Sequence, residues 1–316
     1  MRTVNSVSVI ATATNTVTAA IPVGNNPQGV AVTPDGSKVY VANAGTVSVI
    51  ATATNTVTAT IPVGTAWGIA VTPDGSKVYV TSFSSENVSV IATATNTVTA
   101  TIPVPFPEGV AVTPDGSKVY VTSFVSNNVS VIATATNTVT ATVPVGTAYG
   151  IAVTPDGSKV YVANSRSNNV SVIATATNTV TASIPVFDPS GIAVTPDGSK
   201  VYVSTFVFNY VSVIATATNT VTATIPVAGG PSGIAVTPDG SKVYVAGVNS
   251  NNVSVIATAS NTVTNTVSVG SFPNVFGLFI GPAPAAPVPT LSGWAMLLLA
   301  MGLALLGAKT LTTARS

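Results

Sequence analysis

The side chains able to do chemistry in this chain are few, and most recur in one six-residue string. TPDGSK begins at Thr33, Thr72, Thr113, Thr154, Thr195 and Thr237, so each copy supplies one Asp and one Lys. These copies hold twelve of the nineteen charged residues. A carboxylate beside an ammonium could move protons or hold a cation, but only where several such groups converge. The remaining charges are Arg2, Glu86, Glu108, Arg166, Asp188, Lys309 and Arg315, and three of these lie near the termini. The chain has no His and no Cys. That removes His-based catalysis, disulfides, the usual zinc sites and c-type haem attachment. Neither a catalytic constellation nor a metal or cofactor is therefore expected. A net charge of +1, with only 6% charged residues, also excludes a basic nucleic-acid surface.

The spacing of these groups is set by a repeat. TPDGSK returns every 39 to 42 residues, and VSVI occurs seven times, starting at Val7, Val47, Val88, Val129, Val170, Val211 and Val253. Each period holds four short apolar runs rich in β-branched residues, separated by turn chemistry. In one copy these are Gly150 to Thr154, Lys159 to Ala163, Val170 to Ala174 and Val180 to Val186. Pro155-Asp156-Gly157 joins the first two, since Pro presets φ and Gly accepts a positive one. Thr177-Asn178-Thr179 joins the last two.

Four antiparallel strands in a period of about 40 residues define a propeller blade. The fold expected is all-β, a propeller of seven four-stranded blades. Residues 24 to 269 supply six, and Val4 to Val23 brings the third and fourth strands of the seventh. A stub at Met1 to Asn5 and the run Val275 to Ile280 complete it, so the two chain ends meet in one blade and leave no open sheet edge. Pro22, Pro62, Pro103, Pro144, Pro185 and Pro226 fall in the fourth strands, which must then be the outer edges. Carboxylates on neighbouring blades would stand roughly 10 Å or more apart, too far to share a proton or a metal.

These strings resemble the YVTN-family β-propeller repeat proteins. The tetrad stands as Tyr40-Val41-Ala42-Asn43 and Tyr161-Val162-Ala163-Asn164, with looser copies at Tyr79, Tyr120, Tyr202 and Tyr244. TPDGSKVYV and the VSVI-x-TATNTV pattern match as well, over roughly residues 1 to 281. One departure is systematic: Ala at 11, 51, 92, 133, 174, 215 and 257 replaces the Asp usual in that family. The resemblance implies the propeller and an extracytoplasmic or surface location, but no single chemistry.

Three segments are expected: a propeller over 1–281, a Pro/Ala linker over 282–288, and a hydrophobic C-terminal segment over 289–316. Residues 291–308 are uncharged, the short limit for a transmembrane helix, with Trp294 and Lys309 at its ends. The motif Pro289-Thr290-Leu291-Ser292, followed by Trp294, resembles the IPTL-CTERM sorting signal of Gram-negative bacteria. It implies a membrane anchor, a sorting or processing enzyme as a partner, and a propeller held outside the cytoplasm. The chain enters strand pattern directly at Met1, so export leads to the expectation of a signal peptide upstream.

The connections after the second and fourth strands vary between copies, and both emerge on the face opposite the TPDGSK turns. They carry Trp67, Phe83, Phe106, Phe124, Tyr149, Phe187, Phe206, Phe208 and Tyr210, with Phe272 at the end of the array. Aromatics gathered on one face mark a binding surface, or else plug the central channel. The function expected is a non-enzymatic, envelope-anchored scaffold binding a protein or glycan through that face. The alternatives are a catalytic propeller of lactonase or quinoprotein-dehydrogenase type, which the absence of His opposes, and a structural surface coat.

Overall fold

A computed structural model describes residues 5–273 and 279–280. The expected membrane segment 291–308, the sorting motif and the linker lie outside the described residues. The chain divides into two units, Met1–Ala283 and Pro284–Ser316. Within the first, the described residues form an all-β propeller of antiparallel sheets. No helix among them is long and apolar enough to cross a membrane.

One repeat shows how the sequence makes a sheet. Ala148–Val153, Lys159–Asn164, Asn169–Ala174 and Thr179–Pro185 pair in that order. Gly157 turns the first pair at φ +70°, and Asn178 turns the last at φ +53°, both conformations that most L residues avoid. The second and third strands are buried, whereas the fourth is exposed along most of its length. Proline therefore does sit on the outer strand, with Pro185 paired at its end with Asn169.

The core lies between sheets. In one cluster, Tyr120, Val129, Val131 and Val143 of one repeat pack against Ala148, Val160, Val162 and Ile173 of the next. Each sheet is thus apolar on both faces, which explains the unbroken valine and isoleucine runs. The N-terminal hairpin, Ser6–Ala11 with Thr16–Pro22, is held on both flanks. Ile21, Val7 and Val9 pack on Val30, Val41 and Ile50, while Ile10 packs on the last repeat beside Tyr244 and Val255. Phe279 joins both clusters.

The expectation of seven separate four-stranded blades is corrected. The described residues form five sheets of four or more strands, four of them four-stranded and one six-stranded, together with the two-stranded hairpin. The six-stranded sheet arises because strand pairing continues without a break through two connections that the sequence suggests are loops, so that Thr56–Val71 pairs with both Lys38–Ala51 and Lys77–Ser82. Only seven positions separate Tyr40 from Val47, against nine from Tyr79 to Val88, so the reversal at Gly45 (φ +89°) is tight, and the Thr52 amide donates to the Ser37 carbonyl at 3.0 Å. Residues 1–4 and 274–278, expected to widen the hairpin, fall outside the described residues.

Candidate functional site

The two ends of the ring differ in kind. At one end lie the TPDGSK turns, where each Asp is consumed by its own turn. Asp156 accepts from the Thr154 hydroxyl at 2.5 Å, the Ser158 amide at 3.0 Å and the Ser158 hydroxyl at 2.8 Å. These donors, led by the Thr hydroxyl, hold its carboxyl at about 2, below the ordinary 3.8. The same holds at Asp35, Asp74, Asp115, Asp197 and Asp239. Each Lys reaches forward instead: Lys118 Nζ donates to the Thr175 carbonyl of the next repeat at 2.7 Å. Among the described residues no three Asp, Glu, His or Cys side chains gather as metal ligands would. This end is a structural lattice.

A second link on the same side runs from each Tyr of the VYV strand to the Asn of the next repeat's turn. Tyr120 Oη donates to Asn178 Oδ1 at 2.7 Å, and five equivalent bonds recur around the ring. Sequence reasoning missed this link. Its only signal is that every VYV Tyr is accompanied by a TNT or SNT Asn.

The opposite end gathers the variable connections, which hydrogen-bond to one another as expected of neighbours on one face. Phe124 N–H donates to the Phe106 carbonyl, and the Val207 amide donates to Asp188 Oδ2 at 3.1 Å. The aromatics expected there fall into three groups rather than one cluster. Trp67, Phe83 and Phe106 form the first, with ring centroids 6.4 and 5.5 Å apart along the series. Phe124 and Tyr149 form the second at 6.1 Å, with the Arg166 guanidinium 4.8 Å above the Phe124 ring. Phe187, Phe208 and Tyr210 form the third, at 6.0 and 6.2 Å. The first two groups are half-buried, whereas Phe187 is 63% exposed and Phe208 53%. Phe206 and Phe272 are exposed as well.

Along the axis, the innermost strands enclose a cavity of about 550 Å³ that reaches Pro34, Pro73 and Pro114 of the TPDGSK turns and is lined by residues such as Ile69, Val110, Ile151, Ile192 and Ile234. Its walls are apolar backbone and aliphatic side chains, without a titratable group. Glu108 carries no distinguishing signal in the sequence, and the structure places it half-buried on the inner strand Pro107–Val112.

The architecture defines the chain as a β-propeller protein. Two family models match parts of it: a choice-of-anchor I domain over residues 3–149, and a YNCE-like β-propeller over residues 192–282. No curated protein matches. Among solved structures, hydrazine synthase of Kuenenia stuttgartiensis is similar, with a TM-score of 0.75 and 27% identity over 81% of this chain and 90% of that one. A functionally unknown protein from Desulfotomaculum acetoxidans DSM 771 aligns with a TM-score of 0.78 and 22% identity, over 89% of this chain and 97% of that one. The second likeness speaks for the fold alone.

Proposed function

We propose that this protein is a non-enzymatic scaffold at the bacterial cell envelope whose variable-connection end binds a protein or glycan partner. The observation that carries the reading is the apolar rim formed by Phe187, Phe206, Val207 and Phe208, of which Val207 is 65% exposed. Large apolar side chains held in water on adjoining loops gain when a partner covers them. The contrast with the other end supports the reading, because there the polar groups are spent within the ring. We read the ring as seven sequence repeats of the YVTN kind. Six Tyr–Asn bonds step from repeat to repeat, and the last reaches the N-terminal hairpin. In the same proposal, the 289–316 segment is the sorting signal and anchor that keeps the propeller outside the cytoplasm.

The test replaces Phe187, Phe206 and Phe208 together by Ser. Beads coated with the protein are then scored for capture on isolated envelopes and on a glycan array. Capture falls at least tenfold while the melting temperature holds. Undiminished capture by the folded variant overturns the assignment.

A further inference from the structure

One carboxylate on the variable-connection end is used neither by a turn nor by the exposed rim. Glu108 is fixed through its backbone on both sides. Its carbonyl accepts from the Thr81 hydroxyl at 2.6 Å, and the following Gly109 amide donates to the Thr122 hydroxyl at 2.7 Å. Its side chain has no such support: Oε2 is buried and has no hydrogen-bond partner. Among the described residues no cation pairs with it. Burial pushes the carboxyl up to about 8. An unpaired carboxylate in such a place is costly to ionise.

The chain segments that meet its backbone carry aromatic side chains. Phe106 lies two residues earlier, within the Trp67–Phe83–Phe106 group. Gly68, next to Trp67, backs so closely on the Glu108 carbonyl that a Cβ there would meet it at 2.2 Å. On the other flank stands Tyr149, whose phenol is raised first by burial and then by the Glu108 charge. This end already seats one cation on a ring, since Arg166 lies over Phe124. Ring faces attract cations, and a carboxylate among them adds Coulomb attraction in a poorly hydrated setting. A hard metal ion would need several further oxygen ligands, and none converge here.

We propose that Glu108, with the Trp67–Phe83–Phe106 rings on one side and Tyr149 on the other, forms a binding site for an organic ammonium group. The inference goes beyond the reading of the exposed rim, because it uses different residues and a different chemistry. The other ionisable groups of the surrounding elements are Tyr149 on the neighbouring inner strand, Arg166 on the turn Ser165–Ser167, and Glu86 on the loop after Lys77–Ser82. None of these is an unpartnered buried carboxylate.

Choline serves as the probe because its charge does not titrate, and 3,3-dimethylbutan-1-ol serves as its neutral isostere. Calorimetry on the full chain shows choline binding and no binding of the alcohol. Affinity rises roughly tenfold or more between pH 6.5 and 9.5, as the ionised fraction of Glu108 grows. Glu108→Gln removes the binding and its pH dependence, and Phe83→Leu weakens it while keeping an apolar side chain. Equal binding of the alcohol, no binding of choline, or unchanged affinity in a folded Glu108→Gln variant overturns the site. The triple Ser variant of the rim retains choline binding, so failure of the rim reading and failure of this site are separable.

Discussion

Tyr244 Oη donates to Asn15 Oδ1 at 2.6 Å across 229 positions of sequence. The same bond joins Tyr40 to Asn96, only 56 positions apart, and recurs at each step between. A local device repeated from copy to copy therefore becomes the closure of the ring when it meets the chain's other end. Lys242 reinforces it by donating to the Thr12 carbonyl at 2.7 Å.

This predicts two distinguishable outcomes from one chemical change. Tyr120→Phe and Tyr244→Phe each cost about 1 kcal/mol in urea unfolding, the net worth of a hydrogen bond. Only Tyr244→Phe speeds amide exchange in the hairpin Ser6–Pro22, because there the bond holds a terminal element and not an interior one. Asn178→Ala costs more than Tyr120→Phe, since it also forces Ala into a φ of +53°.

The six turn aspartates make the fold acid-sensitive. Each is held at about 2 in the folded state against 3.8 ordinarily. A depressed folded value means that the contribution is complete above about pH 4 and is lost as pH falls toward 2. The urea midpoint drops over that window, and Asp156→Asn makes the drop shallower while lowering stability at pH 7. An identical acid limb in the variant would show that the turn does not depend on the charge.

The repeat and its turn chemistry were legible in the sequence because Pro155 fixes its φ, while Gly157 and Asn178 are residue types that accept the positive φ these turns need. The outer position of the fourth strand was legible through Pro185, which has no N–H to give to a further strand. The sheet grouping was not. Two repeats merge through Thr56–Val71, whose connecting residues 63–68 are nearly identical to residues 145–150, where the strands stay separate, so composition does not distinguish the two. The Tyr–Asn bond escaped notice because its partners lie 56 to 59 positions apart among near-identical copies, so no copy reveals which Asn belongs to which Tyr. Glu108 reads in sequence as a solvated charge. Its burial depends on segments of the neighbouring repeats, around Gly68 and Tyr149, that pack on the Glu108–Gly109 backbone only in the folded propeller.

Close approach of neighbouring inner strands gives a third prediction. A Cβ on Gly150 would meet the Ser190 carbonyl oxygen at 2.2 Å, and one on Gly109 would meet the Tyr149 carbonyl oxygen at 2.4 Å. Both neighbours are backbone, so neither can swing aside. Gly150→Ala is expected to cost roughly 2 kcal/mol or more in chemical denaturation, as overpacking does.

Removing a hydroxyl at the same level tests the inner link. Thr122 receives the Gly109 amide and passes its own hydrogen to the Tyr149 carbonyl at 2.8 Å. Thr122→Ala leaves a buried amide without its acceptor and costs about 1–3 kcal/mol. The equivalent position in the next repeat is already Ala163, so Ala163→Thr offers the reciprocal experiment. A gain in stability there would show that the link is transferable between repeats.

Glu108 sets a pH dependence of opposite sense to that of the turns. Burial raises its carboxyl from 4.5 to about 8. Below pH 4.5 both folded and unfolded chains carry the proton, so the group contributes no difference there. Between pH 4.5 and 8 the unfolded chain ionises first, and folding stability declines as pH rises. Above about 8 the folded chain ionises too, and the decline ends. Glu108→Gln keeps the shape and abolishes the titration. The variant therefore matches the parent chain near pH 4 and exceeds it at pH 9, by roughly 2 kcal/mol once the partial exposure of the side chain is allowed for. Choline narrows that gap by stabilising the parent at pH 9, because it favours the ionised carboxylate of the folded state. A parent chain as stable at pH 9 as Glu108→Gln without choline would mean that the carboxylate is solvated, leaving no buried charge for an ammonium group to neutralise.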